Sequence, residues 1–319
     1  MNLSRKDKIR GSLIGGAIGD ALGYPVEFAS YSNIKSMFGE NGITRFVLNN
    51  NGVAEISDDT QMTLFTANGL LYGITRFCMR GIGSDLFNYV AMAYDEWLQT
   101  QMELPLEDEW HMCWIRNISA LNSRRAPGNT CLSALTALRE QKAVSNNSKG
   151  CGGVMRAAPI GLLSGVARGK ETIDIACDCA AITHKHPLGY LPAGILACII
   201  RDIVDCSEDL IETTFEEIVR NASTALLTDF NGDSYAIELS RTISTAMELA
   251  KGDGADYNNI RIIGEGWTGD EALAIAIYCS LRHWGNFEDA VVAAVNHDGD
   301  SDSTGAISTA DRRSGSAGM

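Results

Sequence analysis

Positive charge is what this chain has least of for its size. In 319 residues, 26 Lys and Arg face 40 Asp and Glu, a formal charge of −14. Such an acidic chain repels phosphate backbones and anionic headgroups, so neither nucleic acid nor a membrane is an expected partner. No C-x-x-C spacing occurs among the nine cysteines, the closest pair being Cys177 and Cys179. That excludes a zinc ribbon and reads as reduced thiols in a cytoplasmic protein. Long apolar runs are missing too. The longest uncharged stretches, Thr60 to Thr75 and His186 to Ile200, are short for a bilayer, and Met1 to Arg10 holds no signal-peptide run. Prolines number only six, and no Ser/Gly/Pro-rich linker precedes residue 305, which leaves one domain over residues 1–307. Neither a G-x-S-x-G elbow nor a Walker A loop is present.

What is there reads as helix. Hydrophobic residues make up 45%, and a chain of this length buries about three quarters of its unfolded surface without staples. Gly11, Gly15, Gly19 and Gly23 recur every four residues within Arg5 to Leu22, so they share one helical face that another helix can approach closely. Ser57 ahead of Asp58-Asp59 reads as an N-cap leading into Met62 to Ile74, and Thr268-Gly269-Asp270-Glu271 has the form of a capping box. Further helical windows run through Gly81 to Gln99, Thr130 to Glu140, Thr172 to Thr183, Leu191 to Val204, Phe215 to Leu227, Tyr235 to Leu249, Ala272 to Leu281 and Phe287 to Val295. Only Ile43 to Leu48 and Ile260 to Ile263 look like strands, and no strand–helix alternation suggests a parallel sheet. An all-α domain is expected.

Two oxygen-rich clusters stand at opposite ends of the chain: Ser57-Asp58-Asp59-Thr60, and Asp298 through Thr304. Each alone offers too few donors for a hard divalent cation; together they suffice for one ion or two. An EF-hand reading of the second fails, because Ser303 stands where glycine is required and Thr309 where glutamate is. Helix capping explains one or two residues of each cluster but not three acids in five positions. A glycine-rich loop, Ser148 to Arg156, offers backbone N–H groups suited to an anion, although standing alone such a loop is more often a flexible connection. Thr183-His184-Lys185-His186 offers two histidines without zinc-ligand spacing.

In this order the features resemble the ADP-ribosylglycohydrolase family. The resemblance runs from Gly11 to Gly23 and Pro25-Val26-Glu27-Phe28, through Ser57 to Met62, Arg125 to Thr130, Gly150 to Pro159 and Thr183-His184, to Gly299 through Ile307. It implies a compact all-α fold around two Mg²⁺ or Mn²⁺ ions. Ser57, Asp58 and Asp59 match one half of the family's metal site, and Asp300, Asp302 and Ser303 the other. Glu27 matches a mobile acid beside the metals. Ser148, Gly150, Gly152, Gly153 and Met155 match the loop that wraps the diphosphate of ADP-ribose, and His184 a further phosphate neighbour. The implied activity is hydrolysis of the bond joining ADP-ribose to a protein side chain, arginine favoured over serine, by a monomer. Either Asp59 or Glu27 handles the attacking water. Residues 308–319 are polar and depart from the family's pattern. They read as a disordered tail with the site intact, or as lost support for Asp300 and Asp302. The second case leaves open a non-catalytic ADP-ribose binder or transferase inhibitor; hydrolysis of another phosphoribosyl compound is a third reading.

Overall fold

Ser4 accepts the amide N–H of Asp7 on its side-chain oxygen and so starts the first helix, α1, Arg5–Gly23. The computed structural model describes residues 4–102, 111–163, 165–166, 169–206 and 212–310. Thirteen further helices follow in the described residues: α2 (Tyr31–Phe38), α3 (Asp58–Arg80), α4 (Leu86–Gln101), α5 (Asn129–Arg139), α6 (Ala158–Gly161), α7 (Lys170–Ala181), α8 (Pro187–Asp205), α9 (Glu212–Asp229), α10 (Ser234–Ala250), α11 (Asp256–Ile263), α12 (Gly269–Arg282), α13 (Phe287–Val295) and α14 (Ser301–Ala310). Among the described residues there is no strand, only the isolated bridges Leu48–Ala54 and Gly150–Thr268. The fold is all-α, as expected.

Both strand expectations fail, for different reasons. Ile260 and Ile263 are buried while Ile262 is 63% exposed; that is a helical period, and it makes this stretch the last turn of α11. Ile43 has its N–H and C=O taken by the side chain of Asn296, so no neighbouring strand is needed, and Phe46, Val47 and Leu48 stay exposed. The capping box is also incomplete. Glu271 turns its carboxylate to the N–H of Glu265 instead of back to Thr268. Helix α2, which the sequence reading passed over, starts where Ser30 takes the N–H of Asn33.

Helix α8 is the apolar axis of the fold. By length and composition it passes for a membrane span, yet 78% of its most apolar window is buried inside the fold. It contacts α6, α7, α9, α10 and α12, and α12 is itself buried along almost its whole length. Cys113, Cys131, Cys177, Cys179 and Cys198 are buried thiols, not disulfide partners.

The glycine stripe does what its spacing suggests. A methyl group on Gly15, Gly19 or Gly23 would sit 2.5, 2.1 or 2.4 Å from the carbonyl oxygens of Thr309, Gly305 and Ser301. The backbone of α14 therefore lies directly in the groove of α1. This contact supports the second acidic cluster, and α14 continues past residue 307 to Ala310. The rest of the expected tail, 311–319, lies outside the described residues.

Candidate functional site

Helix α1 also places the first acidic cluster. Its Asp20 is fully buried and accepts the N–H of Ser57 at 2.9 and 3.1 Å, the N–H of Thr60 at 3.0 Å and the Thr60 hydroxyl. This carboxylate ties down the first turn of α3, whose free N–H groups favour negative charge. Ser57 caps the turn by accepting from Asp59 N at 3.1 Å. Asp58 donates its N–H to the carbonyl of Arg125 and accepts from Gly128 N on Oδ2. Asp59 is buried, and its Oδ2 has no hydrogen-bond partner.

The start of α14 faces this cluster. The N–H of Ser303 is shared between Asp300 Oδ1 at 3.2 Å and Asp302 Oδ1 at 3.1 Å. Gly299 precedes them with φ +104°, and a methyl group there would lie 2.1 Å from the carbonyl oxygen of Glu265. Only glycine permits this tight entry. Asp298 faces away, accepting from Tyr31 N and the Tyr257 hydroxyl.

Burial, reinforced by neighbouring carboxylates, raises Glu27, Asp58, Asp59 and Asp302 alike. Burial, with Asp300, Asp58 and Asp20 nearby, pushes Glu27 up to about 8. Burial also takes Asp58 to about 8, against the hydrogen bond from Gly128 and with Asp20 and Asp300 as like charges. Asp59 and Asp302 rise well above the usual carboxylate range through burial first; Asp58, Asp20 and Asp300 then add like charge at Asp59, and Asp59, Asp300 and Glu27 at Asp302.

The opposite wall carries no acid. The loop around Gly150 is pinned from behind by Cys151 N to Trp267 O at 3.1 Å and Gly269 N to Lys149 O at 2.8 Å. His184 packs on its inner side: a methyl on Gly152 would lie 2.8 Å from its Cε1, and one on Gly150 3.2 Å from its Nε2. Burial and then the charge of Arg156 lower His184 to about 3, so this ring is neutral.

Between the walls lies a cavity of about 440 Å³, within the range of small-molecule sites. Glu27, Asp58, Asp59, Gly150, Gly152, Met155, His184, Asp300 and Ser303 line it. Ser57, Asp302, Ser148 and Gly153 sit behind that lining. Ser57 and Asp302 hold the helix starts, Ser148 accepts from Gly150 N, and a methyl on Gly153 would meet the carbonyl of Gly189 at 2.3 Å. Among the described residues no three His, Cys, Asp or Glu side chains close on one point as a finished metal cage. The donors nevertheless suit hard cations: clustered carboxylates at two helix starts, a serine hydroxyl, and the unpartnered oxygen of Asp59.

Three groups at the cavity escaped the sequence reading. Asp20 sat in the glycine stripe but carried no assigned role. Cys151 donates its thiol to Asp300 Oδ2 at 2.9 Å. Phe28, 63% exposed, stacks on Trp267 with ring centroids 5.3 Å apart and planes 10° from parallel. Its φ is +63°, an uncommon conformation for a bulky residue, held by its N–H to the carbonyl of Gly299. The only available signal was its position after Glu27.

Comparison with known proteins agrees with this architecture. An uncharacterized protein of Escherichia coli (strain K12), YegU, is 27% identical over 318 residues, covering 96% of this chain and 86% of its own. An uncharacterized protein of Archaeoglobus fulgidus is 27% identical over 324 residues, covering 95% and 85%. A solved structure described as an ADP-ribosylglycohydrolase-related protein complex shares the fold at TM-score 0.58 and 19% identity, over 97% of this chain and 88% of that one. The family profile for ADP-ribosylglycohydrolase matches residues 1–310, and with that span the chain belongs to the ADP-ribosylglycohydrolase family.

Proposed function

We propose that this protein is a metal-dependent hydrolase that releases ADP-ribose from a modified protein side chain. The observation that carries the reading is the division of one cavity into a carboxylate floor, with an orphaned Asp59 oxygen, and a glycine-loop wall beside neutral His184. Ser57, Asp58 and Asp59 would hold one Mg²⁺ or Mn²⁺ ion, and Asp300, Asp302 and Ser303 a second. Bound there, the ions supply Lewis-acid polarisation and neutralise the crowded carboxylates. The loop from Ser148 to Met155, whose Gly150 and Gly152 line the cavity beside His184, would take the diphosphate, with Arg124 lining the same cavity. As the side chain departs, positive charge grows at the anomeric carbon, and the carboxylate floor stabilises it.

Glu27 suits proton transfer better than Asp59 does. It sits on a non-helical rim, half-buried and lining the cavity, whereas Asp59 is locked in the floor. A preference for an arginine acceptor is supported by the exposed Phe28–Trp267 pair, since flat aromatic faces beside carboxylates attract guanidinium groups.

Incubation with ADP-ribosylated arginine and serine peptides, with and without Mg²⁺, tests the reading. Metal-dependent release of ADP-ribose, faster from arginine, is expected. Tight ADP-ribose binding with no turnover on either peptide would make the protein a binder.

A further inference from the structure

Behind the neutral wall lies a charge that the reaction above does not use. Arg156 is 1% exposed, and among the described residues no carboxylate pairs with it. Its Nη1 donates to Met62 Sδ at 3.2 Å and Cys131 Sγ at 3.3 Å, and its Nη2 to Thr183 Oγ1 at 2.6 Å. The guanidinium carbon lies 4.4 Å from the centroid of the Tyr94 ring, and Nε has no partner. Arginine does not shed its proton in proteins, and a buried charge without an opposite charge is expensive. Sulfurs, one hydroxyl and a ring face compensate it weakly.

The donors and acceptors around Thr183 favour one arrangement. A guanidinium nitrogen can only donate, so the Thr183 oxygen accepts from it. The hydroxyl proton of Thr183 then points to His184 Nδ1, 2.8 Å away, which accepts. The Cys131 thiol also neighbours that hydroxyl, but sulfur is a poor acceptor beside an imidazole nitrogen. A neutral imidazole that accepts at Nδ1 carries its proton on Nε2. That is the nitrogen lying against Gly150 and Gly152, at the loop side of the cavity.

We propose that Arg156 is the fixed counter-charge for a phosphate-type anion in the cavity and, through Thr183, sets His184 as an Nε2–H donor to that anion. The identity of the anion as the diphosphate of ADP-ribose rests on the proposed function; the relay itself does not. Arg156 and Thr183 are positioning residues, acting from behind the wall. Without them His184 could equally carry its proton on Nδ1 and present a lone pair, which would repel phosphate oxygens.

Two readouts on the full chain test this. In ¹⁵N spectra at pH 7, with the His184 resonances assigned by comparison with His184→Gln, the wild type should show the Nε2–H tautomer. Thr183→Val, which keeps the shape and removes the relay, should shift His184 toward Nδ1–H. It should also weaken binding of ADP-ribose and of inorganic pyrophosphate by about tenfold, the range for one charge-assisted hydrogen bond. Arg156→Met should weaken both ligands at least as much, and Arg156→Lys should restore part of the loss. If Arg156→Met does not fold, Thr183→Val decides alone. Dominance of Nδ1–H in the wild type, or unchanged tautomer and affinities in Thr183→Val, overturns the inference. Pyrophosphate binding without ADP-ribose binding would overturn the ADP-ribose reading and leave the relay standing.

Discussion

The two walls of the cavity face one space with opposite electrostatics. The acid wall stores negative charge at the starts of α3 and α14, where backbone N–H groups only partly offset it, so burial and mutual repulsion raise its carboxylates. The loop wall sets neutral His184 at the cavity, with the buried charge of Arg156 behind it and Thr183 between them. Arg124 also lines this cavity.

The largest test of this asymmetry removes the acids. Asp59→Ala and Asp302→Ala should each lower hydrolysis by about a hundredfold or more and abolish Mg²⁺ binding by calorimetry, while leaving pyrophosphate binding at the loop wall measurable. Equal loss of both ligands would break the separation between the walls.

Next in size is the support beneath the acid wall. A methyl on Gly19 would meet the Gly305 carbonyl at 2.1 Å, so Gly19→Ala should cost about 1–3 kcal/mol of stability by overpacking. Denaturant unfolding measures it; Gly52→Ala would not serve as a neutral control, since Gly52 has φ +74°.

The walls should also respond to pH with opposite signs. In the metal-free folded chain Asp58 holds its proton up to about 8, against an ordinary value of 3.8. The unfolded chain has already released it, so this contribution makes stability fall as pH rises between those values. His184 is the reverse: its pKa is about 3 when folded and 6.5 ordinarily. The unfolded state gains a proton there below pH 6.5, and stability rises with pH across that window. From pH 6.5 to 8 only the acid wall acts, with a slope of at most about 1.4 kcal/mol per pH unit for each proton retained. Denaturation of metal-free protein should show the decline, and Asp58→Asn should make it shallower, with Glu27, Asp59 and Asp302 supplying the remainder.

The smallest effect belongs to the rim. Phe28→Ala should reduce the preference for an arginine over a serine peptide by about two- to fivefold, read as a ratio of kcat/KM values. An unchanged ratio would remove the rim from acceptor selection.

The acid wall was legible in the sequence because each of its halves is a continuous run with its own cap: Ser57 to Thr60, and Asp300 to Thr304. The glycine stripe was legible because four-residue spacing is a local property of a helix. The strand readings failed at Ile260 to Ile263 because a four-residue apolar run fits either period, and only burial chose between them. The roles of Asp20 and Arg156 were not legible. Asp20 reaches its partners across 37 and 40 positions, and Arg156 reaches Thr183 across 27.

By itself, then, the sequence determined the helical class, the sign of the charge and where the acids cluster, since all three follow from spacing and composition within one turn or one run. Tertiary structure decided which two helix starts meet across the cavity, and that the backbone of α14 lies in the glycine groove of α1. It also decided which nitrogen of His184 lies against Gly150 and Gly152. Those outcomes depend on burial and on hydrogen-bond partners far apart in the chain, and a side chain's desolvation or proton position has no value until the residues around it are known.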